Sequence, residues 1–179
     1  MKKIPFFVIF IILSYSCSQT SQTEKELAEV LGTRLNIEMF DTIQYRDSLI
    51  SMEQLRKKHS HLSVVYLQDN CTPCYPKYVE WHQKMEEIDD FSRHTVLFVI
   101  QTFEYEYFKR NVMKLEEEID EKYYIIIDPK QEFFISNKDL PNWIMNSSML
   151  IDSENKIKMV GSPWINEDMA NLFHEIISQ

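Results

Sequence analysis

Residues 62–76, LSVVYLQDNCTPCYP, place two cysteines directly after an uncharged apolar run. The run over 62–68 is rich in β-branched and apolar residues, which is typical of a strand buried on both faces of a sheet. Apolar residues then recur at three- and four-residue steps, which predicts a helix over 76–88. Cys71 and Cys74 are therefore predicted at the mouth of a helix that follows a buried strand.

Strands and helices alternate along the rest of the chain. The predicted elements are a short helix or turn over 27–34, an edge strand over 35–40, a helix over 51–59, a strand over 95–101, a helix over 105–119, a strand over 123–127, paired strands over 149–152 and 156–160, and a last helix over 166–177. Parallel strands need crossover helices, whereas a short polar turn between two strands suits an antiparallel hairpin. The predicted fold class is α/β, with three α/β/α layers around a central mixed sheet, a β-α-β-α-β-β-α core and an N-terminal extension.

The first 17 residues, MKKIPFFVIFIILSYSC, have the order of a secretory signal segment, with two lysines, an apolar run and a short polar stretch before Cys17. The apolar run 4–13 is shorter than the roughly 20 helical residues that cross a bilayer. A cysteine in this place resembles the lipobox of bacterial lipoproteins, which implies cleavage before Cys17 and lipid on its sulfur. Ser14 stands where the lipobox has an aliphatic residue, so an ordinary cleaved signal peptide is the alternative. Both interpretations predict export.

The predicted organisation is a lipoprotein signal segment over 1–17, a polar tether (SQTSQT) over 18–23 and one domain over 24–179. Removal of the signal segment would take away two lysines and no acidic residue, so the net charge would fall from −9 to −11. Such an acidic chain does not attract nucleic-acid phosphates by counterion release. We therefore expect no nucleic-acid partner.

Glycine occurs only at Gly32 and Gly161. This excludes the glycine-rich loops that bind nucleotide phosphates and the Gly-x-Ser-x-Gly turn of many hydrolases. No cofactor is expected.

Cys71 and Cys74 would form a redox-active disulfide, part of a metal site or two buried thiols. Positions three apart in a helical turn bring the Cβ atoms to about 5–6 Å, and a small adjustment reaches disulfide geometry. A disulfide across so short a loop restrains the unfolded chain little, so redox chemistry explains the pair better than stabilisation. A helix start offers unpaired N–H groups. We therefore predict Cys71 as the exposed attacking thiol and Cys74 as the shielded resolving thiol.

A metal site is the main rival. Zinc requires four ligands, and His82 lies eight residues after Cys74, about 12 Å along a helix axis. Copper bound by cysteine and methionine is the other option, but the methionines fall at core-like positions: Met85, Met113, Met149 and Met169. The sequence therefore favours no metal, and it predicts Trp81 in the core and His82 on the surface.

The chain resembles the thioredoxin superfamily, in particular the membrane-tethered thiol–disulfide oxidoreductases of the TlpA type found outside the bacterial cytoplasm. The resemblance covers about residues 62–177. It rests on Cys71-Thr72-Pro73-Cys74 after an apolar strand and on the segment SSMLIDSENKIKMVGSP over 147–163, which resembles the closing hairpin of that family. It implies a thioredoxin-like fold and dithiol–disulfide exchange by Cys71 and Cys74.

The chain departs from the family in the groove that binds substrate. The family has a cis-proline a few residues before the hairpin aspartate, and the corresponding place, counted from Asp152, falls near Asn146. Asn146 and Ser147 are therefore the groove candidates. Because a non-proline cis bond costs about 2.5–4 kcal/mol, a trans peptide is expected there. The tryptophan common before the first cysteine is replaced by Asp69 and Asn70, and the strand over 62–68 lacks the buried acid found in many thioredoxins.

Together these features predict an exported protein, anchored by lipid to a bacterial membrane and facing the periplasm or the cell surface. It would reduce or exchange disulfides of other exported proteins, and its partners would be those thiol or disulfide proteins and an upstream redox partner. The alternative is a non-catalytic lipoprotein of the same fold that acts as a binding or scaffold module; a copper or zinc binder is a third option. The sequence leaves the direction of electron transfer open.

Overall fold

The structure, a computed structural model, describes residues 21–88, 93–116, 120 and 122–179. Cys17, the predicted signal segment and residues 18–20 of the predicted tether lie outside the described residues. No helix in the described ranges is long and apolar enough to cross a membrane.

The described residues form seven helices and seven strands. The helices are α1 Gln22–Val30, α2 Met52–Lys58, α3 Cys74–Ile88, α4 Tyr105–Val112, α5 Glu132–Ser136, α6 Asn142–Met145 and α7 Glu167–Ile177. The strands are β1 Ile43–Tyr45, β2 Ser48–Ile50, β3 His61–Gln68, β4 His94–Gln101, β5 Tyr124–Ile127, β6 Ser148–Ile151 and β7 Ile157–Val160.

One mixed sheet has the strand order β2-β1-β5-β4-β3-β6-β7. The three central strands β5, β4 and β3 are parallel, while β1 pairs with β5, and β6 with β3, in antiparallel fashion. All eight residues of β3 and β4 are paired with each other, from His61 with His94 to Gln68 with Gln101. The mixed sheet and the closing β6–β7 hairpin confirm the predicted core.

Each face of the sheet packs against its own layer. On one face α3, α4 and α7 contribute Trp81, Phe108 and Phe173, all buried. On the other face the segment before β1 and helices α2, α5 and α6 contribute a second buried cluster, with Leu35 and Phe133 among its fully buried members. Burial of an apolar side chain of this size contributes about 1.5–3 kcal/mol. The predicted three-layer architecture is thus confirmed.

The N-terminal elements differ from the prediction. Helix α1 begins at Gln22 because Ser21 forms a capping box with Glu24, so the end of the predicted tether is helical. The helix ends before Gly32, whose φ of 82° suits glycine. The predicted strand over 35–40 is wrong. That segment is irregular, and the N–H of Leu35 donates to the carbonyl of Asn155 in the β6–β7 turn at 2.8 Å, while the Leu35 side chain is in the core.

Two predictions on the other face are also wrong. Helix α4 ends at Val112 rather than at residue 119, and Met113, predicted at a core-like position, is about half exposed, as is Leu115. His82, predicted on the surface, is buried, and its ring stacks parallel to Phe98 at 5.2 Å between centroids. Trp81 is in the core, as predicted.

The strand directions bring distant parts of the chain to one edge of the sheet. Strands β3, β4 and β5 end at this edge, and β6, which is antiparallel to β3, begins there. The segment that follows β3 carries Cys71 and Cys74, and the turn before β6 carries Asn146 and Ser147. The fold therefore places the predicted redox pair and the predicted groove residues on the same edge.

Asp128 fixes the chain where β5 ends. Its buried carboxylate accepts hydrogen bonds from the backbone N–H groups of Glu132 and Phe133, at 2.8 and 2.9 Å, at the start of α5. We expect Asp128→Ala to lower the free energy of unfolding by about 1–3 kcal/mol, because two backbone donors, one of them buried, lose their acceptor. Urea unfolding would measure this as a lower midpoint at an unchanged m-value. Alanine at the exposed Asp139 is the control, and an equal midpoint in both variants would contradict the prediction.

Candidate functional site

A tight turn connects the end of β3 to helix α3. The backbone N–H of Cys74 donates to the carbonyl of Cys71 at 2.9 Å, so the four residues 71–74 form a hydrogen-bonded turn. Helix α3 begins at Cys74. Pro73 and Pro76 lie at the start of this helix, where backbone N–H groups have no intrahelical acceptor, so the missing N–H of proline costs nothing. Cys71 therefore lies just before the helix rather than inside its first turn.

Cys71 and Cys74 form a disulfide, with their Cα atoms 5.3 Å apart. The two cysteines differ in exposure: Cys71 is partly exposed, whereas Cys74 is 9% exposed and packs into the apolar cluster beneath α3. Thr72 and Pro73 between them are exposed. A thiolate of another molecule can therefore reach the disulfide from the side of Cys71.

The N–H donor that the structure shows at this pair goes to the buried sulfur. The backbone N–H of Gln68, the last residue of β3, donates to Sγ of Cys74 at 3.4 Å. The sequence predicted backbone donors for Cys71 instead. The bond to Cys74 gives that sulfur one polar partner in an otherwise apolar setting, where a developing thiolate would be costly to bury alone.

A polar network holds the segment that leads from β3 to Cys71. Asp69 Oδ1 accepts hydrogen bonds from the hydroxyl of Tyr75 and from the N–H of Asn70, both at 2.9 Å, and Oδ2 accepts from the hydroxyl of Thr102 at 3.3 Å. The Tyr75 hydroxyl also accepts from the N–H of Asn70 at 3.0 Å. Burial raises the pKa of Tyr75 above its usual value, so the phenol keeps the proton that it donates to Asp69.

This network stabilises a left-handed backbone conformation. Asn70, directly before Cys71, has φ of 61°, a conformation that asparagine tolerates better than most residues. In the sequence Asp69 is notable only because, with Asn70, it replaces the tryptophan common before the first cysteine. Its role in the structure is to fix the path of the chain into the disulfide.

The turn before β6 lies against helix α3. Asn146 is exposed and Ser147 is partly exposed, and their backbone carbonyls accept hydrogen bonds from Lys77 Nζ at 2.9 and 3.3 Å. The described residues contain no cis peptide bond. The structure therefore brings the two groove candidates next to the helix that carries Cys74, through a lysine that the sequence analysis did not single out.

Metal ligands do not converge on the disulfide. The described residues contain no cluster of three or more histidine, cysteine, aspartate or glutamate side chains that would hold a metal ion. His82 is buried in the core, where its Nδ1 forms a hydrogen bond of 2.9 Å with the carbonyl of Tyr78. Of the four methionines considered for copper, three are buried or partly buried: Met85, Met149 and Met169.

Two of the polar residues around the disulfide have a weak signal in the sequence. Lys77 and Tyr75 follow Cys74 at the start of α3, so proximity along the helix would have placed them near the pair. Thr102 has no such signal, because it comes from the loop after β4 and reaches Asp69 only through the pairing of β3 with β4.

Tyr75→Phe would test the network around Asp69. We expect the substitution to lower the free energy of unfolding by about 1 kcal/mol and to speed amide exchange at Asn70, because Asn70 loses one acceptor. Hydrogen exchange followed by NMR is the measurement. Phenylalanine at the exposed Tyr107, on α4, is the matched control, and unchanged exchange at Asn70 would contradict the role given to Tyr75.

The sequence matches no protein-family model, and no curated protein is significantly similar to it. Solved structures are similar in fold. The thioredoxin domain of a thiol-disulfide oxidoreductase from Bacteroides vulgatus superposes with a TM-score of 0.58 at 15% identity, over 82% of this chain and 97% of that chain. A secreted thiol-disulfide isomerase from Corynebacterium glutamicum gives a TM-score of 0.55 at 15% identity, over 74% of this chain and 78% of the other.

A DsbF homologue from Corynebacterium diphtheriae gives a TM-score of 0.52 at 13% identity, over 75% of this chain and 81% of the other. At such low identity these likenesses establish the fold alone. The chain has a thioredoxin-like fold, which confirms the fold expected from the Cys-x-x-Cys segment and the closing hairpin.

Proposed function

We propose that this protein is a thiol–disulfide oxidoreductase that reduces or exchanges disulfides of other exported proteins through Cys71 and Cys74. The observation that carries the proposal is the disulfide itself, which joins a partly exposed cysteine to a buried one at the edge of a thioredoxin-like sheet. The solved structures of similar fold include proteins named as thiol-disulfide oxidoreductases and isomerases, which supports the same chemistry.

The proposed reaction is a pair of exchanges. In the reduced protein the Cys71 thiolate attacks a disulfide of the substrate, so that a mixed disulfide forms and one substrate thiolate leaves. Cys74 then loses its proton and attacks the Cys71 sulfur, which releases the second substrate thiolate and leaves the Cys71–Cys74 disulfide. Two electrons have passed from the protein to the substrate, and a dithiol reductant of the same compartment returns them by the reverse exchange.

The environment of the pair suits this division of roles. Cys71 is the accessible sulfur, and the turn 71–74 keeps Cys74 within reach of it. Cys74 is shielded from other disulfides, so its reaction with Cys71 is favoured by proximity over reaction with a second substrate.

Serine variants of the two cysteines separate the roles. We expect Cys71→Ser to lose turnover of a disulfide-bonded peptide, assayed with dithiothreitol as reductant, down to the rate of the reductant alone. Cys74→Ser, reduced and then freed of dithiothreitol before the peptide is added, should accumulate a mixed disulfide through Cys71 that is visible by mass spectrometry, because no resolving thiol remains.

Lys84→Met is the control for these variants, because Lys84 lies on the same helix and pairs with Glu87 in solvent. If the wild-type protein has no turnover and its disulfide stays oxidised in a strongly reducing buffer, the protein is not an oxidoreductase. A binding or scaffold role would then replace the proposal.

We also propose that the protein is exported and anchored by lipid on Cys17, facing the periplasm or the cell surface. The support is the order of the N-terminal residues, with two lysines, an apolar run and then a cysteine. Attachment to a membrane surface would confine the redox pair to substrates in the same compartment. The TlpA type, which is membrane-tethered, is the subgroup that this arrangement resembles.

Cys17→Ser tests the anchor in the full-length chain. Expressed in a bacterium that processes lipoproteins, the wild-type chain should incorporate labelled palmitate and sediment with membranes, whereas Cys17→Ser should do neither, because the acceptor sulfur is absent. Cys71→Ser, which keeps Cys17, is the matched control. Incorporation of label into Cys17→Ser, or none into the wild type, would contradict lipidation.

A further inference from the structure

We propose that Lys77 is a positioning residue of the redox site: its ammonium group holds the turn at Asn146 and Ser147 against the helix that carries Cys74. The inference rests on the proposed function. It specifies how the turn at Asn146 and Ser147 is held in place beside the disulfide, where a substrate would bind. Neither the position of the cysteines nor the fold requires a lysine at residue 77.

The geometry places Lys77 between the two parts of the site. It lies three residues after Cys74 on α3, so the two Cβ atoms are about 5–6 Å apart on one side of the helix. Its backbone N–H donates to the carbonyl of Pro73 at 3.3 Å, which anchors the lysine to the turn of the disulfide. Its Nζ reaches the carbonyls of Asn146 and Ser147 at 2.9 and 3.3 Å.

The two carbonyls are paired outside the turn, whereas the backbone donors of the same residues are paired within it. The N–H groups of Asn146 and Ser147 donate back to the carbonyls of Asn142 and Ile144, both at 3.0 Å, and the Ser147 hydroxyl donates to the carbonyl of Trp143 at 2.8 Å. The backbone N–H groups of residues 146 and 147 and the Ser147 hydroxyl thus have acceptors within the turn. Lys77 supplies donors to the acceptors that remain.

The contact is electrostatically unusual, because the cation binds neutral acceptors. Burial lowers the pKa of Lys77 to about 8, and Glu80 on the same helix opposes that shift. The Glu80 carboxylate accepts a hydrogen bond from Trp164 Nε1 at 2.8 Å, and residues 142–147 contain no charged side chain. Hydrogen bonds from a charged donor are roughly twice as strong as neutral ones, so the hold on the turn weakens as the ammonium loses its proton.

The arrangement has a consequence for substrates. A polypeptide that approaches the disulfide along this edge meets carbonyl oxygens that already accept from Lys77. Each carbonyl has a second lone pair, so an incoming N–H group can share the acceptor only if the turn stays in place. Lys77 therefore matters for a polypeptide disulfide, which extends over the turn, and little for a small disulfide that reaches only the sulfur of Cys71.

The test compares Lys77→Met, Lys77→Arg and the control Lys84→Met on two substrates. For the disulfide-bonded peptide at pH 7, we expect Lys77→Met to lose about tenfold in kcat/KM, which corresponds to about 1.4 kcal/mol. For a small aromatic disulfide the change should stay within about twofold. Lys77→Arg should recover most of the loss, and Lys84→Met should match the wild type.

Two further readouts separate positioning from general destabilisation. The ratio of wild-type to Lys77→Met activity on the peptide should fall as the pH rises through about 8, because the wild-type lysine then loses its charge. Amide exchange at residues 146–149 should become faster in Lys77→Met and stay unchanged in Lys84→Met. An equal loss on both substrates, an Lys77→Arg variant no better than Lys77→Met, or unchanged exchange would each overturn the proposal.

Failure of the proposed function looks different. A wild-type protein that turns over neither disulfide would refute the oxidoreductase function and, with it, the catalytic part of this inference. The exchange measurement would still decide whether Lys77 holds the turn.

Discussion

The geometry of the site depends on how Cys74 is fixed where β3 ends and α3 begins. The N–H of Gln68 donates to its sulfur, its own N–H donates to Cys71, and its side chain packs into the apolar cluster together with Val65 and Leu67. Strand β3 is central in the sheet and is paired on both sides. Because the sheet fixes the end of β3, it also fixes the position of the Cys74 sulfur that is bonded there. The disulfide therefore joins a fixed, buried cysteine to a partly exposed one.

Two sets of side chains complete the surroundings of this fixed point. On the approach from β3, Asp69 and Tyr75 hold Asn70 in the left-handed conformation that directs the chain into Cys71. Beyond the disulfide, Lys77 holds the turn at residues 146–147. Each of these contacts involves a charged group, the Asp69 carboxylate or the Lys77 ammonium, and is therefore stronger than a hydrogen bond between neutral groups. They fix the path of the chain on both sides of the disulfide, and under the proposed function they would restrict where a substrate can approach.

The sequence predicted the central elements because their burial leaves a clear pattern. Strands β3 and β4 are continuous apolar runs, and a strand covered on both faces has no polar face to interrupt it. The prediction failed where that pattern is absent or misleading. Leu35 and Ile37 alternate with polar residues as in a strand, but they lie in an irregular segment whose apolar side chains are buried. Helix α4 ends at Val112, although apolar residues continue at helical spacing after it. The short hairpin of β1 and β2 has no strong turn signal, so it was missed.

In the candidate site too, prediction from the sequence succeeds for local features and fails for contacts between distant segments. Cys71 and Cys74 are recognisable because their chemistry and spacing are local, whereas the partner of Lys77 lies 69 residues away in sequence. The contact exists only because β6 is antiparallel to β3 and so begins at the edge where β3 ends. The fold thus determines which segments meet at the disulfide, and the side chains at the meeting point determine how they are held. If the protein exchanges disulfides as proposed, its selectivity among substrates would depend on these side chains rather than on the fold alone.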